Sequence, residues 1–121
     1  MRLMTFIDDC PAELAVAIKE FWPVDEWDNA AHIAQLESSW NAFALNDTTD
    51  AEHRCGAPLP SIQGIPVVAE HSVGYFQINS CNFPGWEWAR LYNARHNAGT
   101  AHMLWEQAGG WSPWAFSSAK L

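Results

Sequence analysis

Two β-prone pieces lie close together in residues 67–79, VVAEHSVGYFQIN, and they decide the fold class. Branched and aromatic residues are frequent in about Val67 to Ser72 and in about Tyr75 to Asn79, and Gly74 separates the two pieces. A glycine between such runs lets the chain turn back on itself, so the stretch predicts a β-hairpin or small sheet. Helical patterns fill most of the rest, and we therefore expect an α+β fold, mostly helical, with one small β element in its middle.

Helical segments are predicted on both sides of the β element. Asp9 or Cys10 is the expected cap of the first helix, and Asp25 is the expected cap of the second. Asn93 is expected to cap the last helix, which Gly109 would end. The predicted helices, with approximate bounds, are Pro11–Trp22, Glu26–Ser39, Trp86–Tyr92 and Ala94–Ala108.

Length and composition predict a single globular domain over residues 1–121, which we expect to be a monomer. Of the 121 residues 49% are hydrophobic and 17% are charged, which is typical of a folded chain. The formal net charge of -8 disfavours a nucleic-acid partner or a membrane-surface role, because phosphate backbones and anionic lipids repel an acidic chain. Asp8 and Asp9 interrupt the region that a secretory signal would need, so we expect no signal peptide.

Cys10, Cys55 and Cys81 allow at most one internal disulfide. Cys55 and Cys81 lie in turn-rich sequence and are the expected pair in an oxidising compartment, whereas a reducing cytosol would leave three free thiols. Both possibilities stay open. His53 and His71 lie near these cysteines in the sequence but lack the paired short spacings of zinc sites, so we expect no metal and no cofactor.

Glu37 is the first candidate for chemistry. It follows Ala30, Ile33 and Ala34 around the apolar face of the second predicted helix. A carboxyl group there must be paired, desolvated or open to a cleft. Burial beside apolar neighbours raises a carboxyl pKa, and a proton retained near neutral pH is what a general acid needs. A solvated glutamate at a helix end is the alternative.

Short motifs in order carry a resemblance to a known family. They are ESSWN at residues 37–41, GYFQIN at 74–79, and NARHN at 93–97 followed by GGWSPW at 109–114. Together they resemble the lysozyme-like superfamily, in particular goose-type lysozymes and soluble lytic transglycosylase domains of the compact phage-lysin type. The resemblance is strongest over residues 25–116.

That resemblance implies a lysozyme-like fold whose small β element borders a substrate cleft. It implies cleavage of the β-1,4 bond between N-acetylmuramic acid and N-acetylglucosamine, with peptidoglycan glycan strands as the partner and Glu37 as the general acid. Without a signal peptide, the enzyme would be made in the cytoplasm and act on the cell wall as a phage-encoded protein, released at lysis or carried on the virion. The residues expected to bind the substrate are Ser72, Gln77, Asn79, Tyr92 and Trp114.

The second carboxylate departs from the pattern of the animal c-type lysozymes. Those enzymes carry an Asp two residues before the glycine of the strand motif, and this chain has Ser72 there. Glu70 is the candidate substitute, acting as a general base on water in an inverting reaction, which needs carboxyl groups about 6.5–9.5 Å apart. If Glu70 has no role, Glu37 would act as acid and then base, and the muramyl 6-hydroxyl would attack, as in a lytic transglycosylase. We favour hydrolysis; a non-catalytic glycan-binding protein is the other class.

Overall fold

The computed structural model describes residues 5–48, 70–79 and 85–121. Within these ranges it has a mostly helical architecture with one small antiparallel sheet, so the expected α+β class is confirmed. The α-helices are α1 (Phe6–Asp9), α2 (Ala12–Phe21), α3 (Trp27–Ser38), α4 (Ala94–Ala108) and α5 (Ala115–Ser118). The strands are β1 (Leu45–Thr48), β2 (Glu70–Val73) and β3 (Ile78–Asn79), and 3₁₀ helices cover Val24–Glu26, Gly85–Tyr92 and Ser112–Trp114.

The core forms where α2 packs against α3 and α4. Alanines cover much of the contact surface, and their small side chains let the helix backbones approach closely. Gly99 extends this pattern on α4, because a Cβ atom there would lie 3.0 Å from the ring of Phe21. The buried alanines are Ala17 on α2, Ala30, Ala31 and Ala34 on α3, and Ala94, Ala98 and Ala101 on α4.

The predicted ends of α4 are confirmed. The Asn93 side chain accepts a hydrogen bond from the backbone N–H of His96 at 3.1 Å, which satisfies one of the free donors of the first turn. The helix ends at Gly109, whose φ of 74° is the left-handed conformation that glycine adopts at least cost.

The predicted caps of the first two long helices are wrong, although both helices begin within one or two residues of the predicted positions. Pro11, not Asp9 or Cys10, precedes α2, and residues 6–9 form the separate short helix α1. The cause is Pro11 itself, because a proline disfavours helical geometry in the residue before it, and Cys10 is extended with ψ 163°. Asp25 lies inside the 3₁₀ helix Val24–Glu26, so Glu26 is the residue that precedes α3.

The sheet has the strand order β1-β2-β3, with both pairs antiparallel. Ser72 in the central strand lies opposite Asn46 on one side and Asn79 on the other, so these three residues form one row on the same face. The neighbouring row contains Val73 and Ile78, which are buried in the core. The row of Ser72 therefore lies on the face away from the core.

Three local predictions in and near the sheet need correction. Residues 45–48 form strand β1, although the sequence from Asn46 onward predicts irregular structure. The second β piece, expected over Tyr75 to Asn79, is reduced to Ile78–Asn79, because residues 74–77 form the turn. The helix expected over Trp86–Tyr92 is a 3₁₀ helix over Gly85–Tyr92.

The hairpin turn is joined to α2 by Tyr75. Its ring is buried, and its hydroxyl donates a hydrogen bond to Glu13 Oε1 at 2.5 Å. Burial, with a smaller contribution from the bond to Glu13, raises the pKa of the Tyr75 hydroxyl well above its ordinary value. The phenol therefore stays neutral over the whole physiological range.

Cys10 is a buried free thiol, and burial raises its pKa. Cys55 and Cys81 lie outside the described residues, so their pairing stays a prediction. Among the residues that the structure describes, no helix is both long and apolar enough to cross a lipid bilayer.

Candidate functional site

A cavity of about 250 Å³ brings together residues from four parts of the chain. Its volume is just under the ~300–1,000 Å³ usual for small-molecule sites, so it suits one ring-sized group. Carboxyl and amide side chains contribute the polar part of the wall, and aliphatic, proline and indole groups contribute the rest. The wall includes Glu37 from α3, Gln77 and Asn79 from the hairpin, Leu104 from α4, and Pro113 and Trp114 from the last 3₁₀ helix.

Glu37 lies in the last turn of α3 and is half-buried. Ile33 and Ala34, one turn earlier, are completely buried, so the apolar face of the helix reaches the position of Glu37 as the sequence predicts. The hydroxyl of Ser117, on α5, donates a hydrogen bond to Glu37 Oε2. This contact joins two residues that are 80 positions apart and ties α5 to the end of α3 beside the cavity.

The chain turns sharply just after the end of α3, close in sequence to Glu37. Ser39 and Trp40 both have left-handed backbone conformations, with φ 53° and φ 59°. Such angles cost free energy for residues other than glycine, so surrounding contacts must hold them. The indole N–H of Trp40 supplies one contact by donating to the carbonyl of Ala31 at 2.9 Å. The turn fixes where α3 ends and therefore where Glu37 lies.

Gln77 lines the cavity, but its side-chain amide is already engaged by the protein. Its Nε2 donates to the carbonyls of Ala44, at 3.2 Å, and Gly74, at 3.0 Å. Its Oε1 accepts from Asn46 Nδ2 at 2.5 Å. Gln77 thus ties the segment around β1 to the hairpin turn, and it shapes the wall of the site through these bonds.

Asn97 holds the hairpin turn against α4, a structural role that the sequence motif at residues 93–97 did not indicate. Its side chain is completely buried. Its Oδ1 accepts from the backbone N–H of Phe76 at 2.9 Å, and its Nδ2 donates to the carbonyls of Val73, at 2.8 Å, and Leu91, at 2.9 Å. Gly74 makes this approach possible, because a Cβ atom there would lie 2.4 Å from Asn97 Nδ2.

Trp114 forms a wall of the cavity and is itself 6% exposed. Its indole N–H donates to the carbonyl of Phe76 at 2.8 Å, and the two rings meet edge to face with centroids 6.2 Å apart. The Trp114 ring also contacts Trp111, whose centroid is 5.4 Å away, and the indole N–H of Trp111 donates to Glu26. The indole of Trp114 is therefore rigidly held where it faces the cavity.

The other predicted site residues lie outside the described wall of this cavity. Ser72 is in the centre of β2, in the same row as Asn79. Tyr92 packs against the exposed ring of Phe43, with the ring centroids 5.9 Å apart. The backbone of Glu70 begins β2, and its side chain lies outside the described part, so its role as second carboxylate stays a prediction. The structure thus brings Glu37, Gln77, Asn79 and Trp114 together and leaves Tyr92 apart.

Four residues of the site were not predicted as site residues from the sequence, and one of them, Ile78, was expected only as part of the hairpin. Leu104 and Pro113 line the cavity, and Ser117 holds the Glu37 carboxyl. Leu104 lies on a helix that the sequence does predict, but no pattern in its neighbourhood points to a cavity. Within the described ranges, no group of three or more His, Cys, Asp or Glu residues is arranged to hold a metal ion.

Comparison of the chain with protein-family models, with curated proteins and with solved structures finds no match. A carboxyl group with one oxygen anchored, next to an amide and an indole, can exchange a proton with a ligand that is polar at its rim and apolar on its face.

Proposed function

We propose that this chain is a peptidoglycan-degrading muramidase on a lysozyme-like scaffold, in which Glu37 protonates the oxygen of a β-1,4 glycosidic bond. One observation carries the proposal: Glu37, Asn79 and Trp114, from separate parts of the chain, face the same ring-sized cavity. The motif order over residues 25–116 supports the same family on independent grounds.

The chemistry of the wall suits a sugar ring. A pyranose presents apolar C–H groups on its face and hydroxyl or acetamido groups at its rim. Trp114, Pro113 and Leu104 offer apolar surface for the face, and Glu37 and Asn79 make up the polar part of the wall that would meet the rim. Glu37 supplies the proton that a departing sugar oxygen needs.

The reaction is proposed as hydrolysis, with Glu70 as the base that activates water. The alternative is a lytic transglycosylase, in which Glu37 alone takes the proton from the muramyl 6-hydroxyl after giving its own to the leaving group. Mass spectrometry of digested peptidoglycan distinguishes the two outcomes. Reducing N-acetylmuramic acid ends indicate hydrolysis, 1,6-anhydro ends indicate transglycosylation, and uncleaved glycan would contradict both.

A non-catalytic glycan-binding protein on the same scaffold is the second candidate. The engaged state of Gln77 favours it, because the side-chain amide that was expected to meet a sugar is already hydrogen-bonded to Ala44, Gly74 and Asn46. A binder would retain glycan strands in a pull-down assay without releasing fragments, and the variant Glu37→Gln would retain that binding.

The setting proposed for the enzyme is the bacterial cell wall, with delivery by a phage at lysis or on its virion. The net charge of -8 gives no attraction to the anionic polymers of many cell walls. The rate of wall lysis should consequently change little between low and moderate salt. A steep loss of activity over that range would indicate electrostatic recruitment and contradict this expectation.

A further inference from the structure

The Ser117 side chain is placed to control the orientation of the Glu37 carboxyl group. Ser117 lies on α5 and is 5% exposed, and its hydroxyl donates to Glu37 Oε2. The next residue, Ser118, instead donates to the carbonyl of Ala115 within the same helix. Two adjacent serines on one short helix therefore have different roles, and only one of them reaches the acid.

Glutamate needs such a contact because its side chain has three rotatable bonds and its carboxyl group can otherwise rotate freely. The hydrogen bond from Ser117 fixes one oxygen. Within the described residues, Glu37 Oε1 accepts no hydrogen bond, and the side chain lines the cavity. The anchored oxygen and the unengaged oxygen thus have distinct environments, as a directed proton transfer requires.

Hydrogen bonds before and after Ser117 in the chain fix its position. Trp114, three residues earlier, is buried and donates its indole N–H to the carbonyl of Phe76 in the hairpin turn. After Ser117, the backbone N–H of Lys120 donates to the Ser117 carbonyl at 3.0 Å. The backbone around Ser117 is consequently held on both sides, and through Trp114 it is tied to the same hairpin that carries Asn79.

We propose that Ser117 is a positioning residue that orients the Glu37 carboxyl so that Oε1 is directed at the reacting oxygen of the substrate. The proposal rests on the proposed function of Glu37 as general acid. Ser117 takes no part in the proton transfer itself: its hydroxyl keeps its own proton and donates a hydrogen bond to Oε2 throughout.

The first test compares steady-state kinetics on soluble peptidoglycan fragments for the variants Ser117→Ala, Ser117→Thr and Ser118→Ala. Loss of the hydroxyl should lower kcat about tenfold or more, with KM changed by less than about twofold, because orientation matters for proton transfer rather than for binding. Ser117→Thr keeps the hydroxyl and should recover most of that loss. Ser118→Ala, the same chemical change one residue further on, should leave kcat as in the original chain. An unchanged kcat in Ser117→Ala would overturn the proposal while leaving the proposed function intact.

The second test needs no activity. In protein labelled with ¹³C at the glutamate carboxyl carbon, Ser117→Ala should shift the Glu37 signal, and Ser118→Ala should leave it within the linewidth. If Ser117→Ala shifts the signal but the original chain cleaves no peptidoglycan, the contact between Ser117 and Glu37 is supported. The proposed function, and with it the role of Ser117 in catalysis, is then refuted. A Glu37 signal equal in both variants would overturn the proposal whatever the activity.

Discussion

Replacing Asn97 with alanine should destabilise the protein more than any other single asparagine change among the described residues. The side chain is completely buried, and its three hydrogen bonds join α4 to the hairpin turn and to the 3₁₀ helix Gly85–Tyr92. Alanine would leave the N–H of Phe76 and the carbonyls of Val73 and Leu91 without this partner. The hairpin carries Gln77 and Asn79, so the same change would loosen one wall of the cavity.

The size of the effect follows from the number of groups left unpaired. A buried polar group without a partner costs about 1–3 kcal/mol, and carbonyls lie at the lower end because they tolerate incomplete pairing. Three such groups give a loss of about 3–5 kcal/mol, a large part of the ~5–15 kcal/mol that stabilises a typical domain. The matched control is Asn93→Ala, which removes an exposed helix cap and should cost about 1 kcal/mol.

Urea unfolding followed by tryptophan fluorescence measures both losses, since several of the eight tryptophans lie in or against the core. With a urea slope of roughly 1.5 kcal/mol per M, Asn97→Ala should lower the midpoint by about 2–3 M. The control should lower it by less than about 1 M. If the two variants lose the same stability, the hydrogen bonds of Asn97 do not hold the hairpin turn.

Two further substitutions test the hairpin turn. Gly74→Ala should lower the free energy of unfolding by well over about 2 kcal/mol, because the added Cβ would lie 2.6 Å from the Leu91 carbonyl oxygen. Gly109→Ala is the control: Gly109 has a similar φ but open space around it, so this change should lower the free energy of unfolding in urea by only about 1 kcal/mol. Equal losses would refute the close approach at Gly74. Because the pKa of Tyr75 is raised in the folded chain, the unfolded chain loses the phenol proton near pH 10 while the folded chain retains it. The contribution of Tyr75 to stability is therefore complete below about pH 10, and above it the free energy of unfolding falls by up to about 1.4 kcal/mol per pH unit. Thermal unfolding measured from pH 9 to 11 should show that decline in the original chain and a weaker decline in Tyr75→Phe. If stability falls equally with pH in both proteins, the decline does not come from Tyr75.

The long helices could be predicted because their signals are local. The cap at Asn93 and the glycine at 109 determine the ends of α4 with little help from the rest of the fold. Strand β1 could not be predicted, because Asn46 and Asp47 have low β propensity and the strand exists through its register with β2. The split between α1 and α2 did have a local signal, since Pro11 restricts the residue before it.

The candidate site was predictable only in part. Glu37 and Asn79 were expected at the cavity and lie there, since both belong to short motifs. Gln77 was expected to meet a substrate, but a left-handed turn with φ 51° directs its amide to backbone carbonyls. Asn97 had a signal that could have been used: a polar residue on the same face as alanines that pack in the core. Ser117 had none, because a helix of four residues has no period to analyse.

The role of Glu37 is tested most directly by the rate at which Glu37→Gln releases soluble fragments from purified peptidoglycan. The amide keeps the shape of the side chain but has no acidic proton, so the rate should fall at least about a hundredfold while the urea midpoint stays close to that of the original chain. Glu106→Gln, the same change at an exposed position of α4, should cleave at the original rate. Undiminished cleavage by Glu37→Gln would contradict the account.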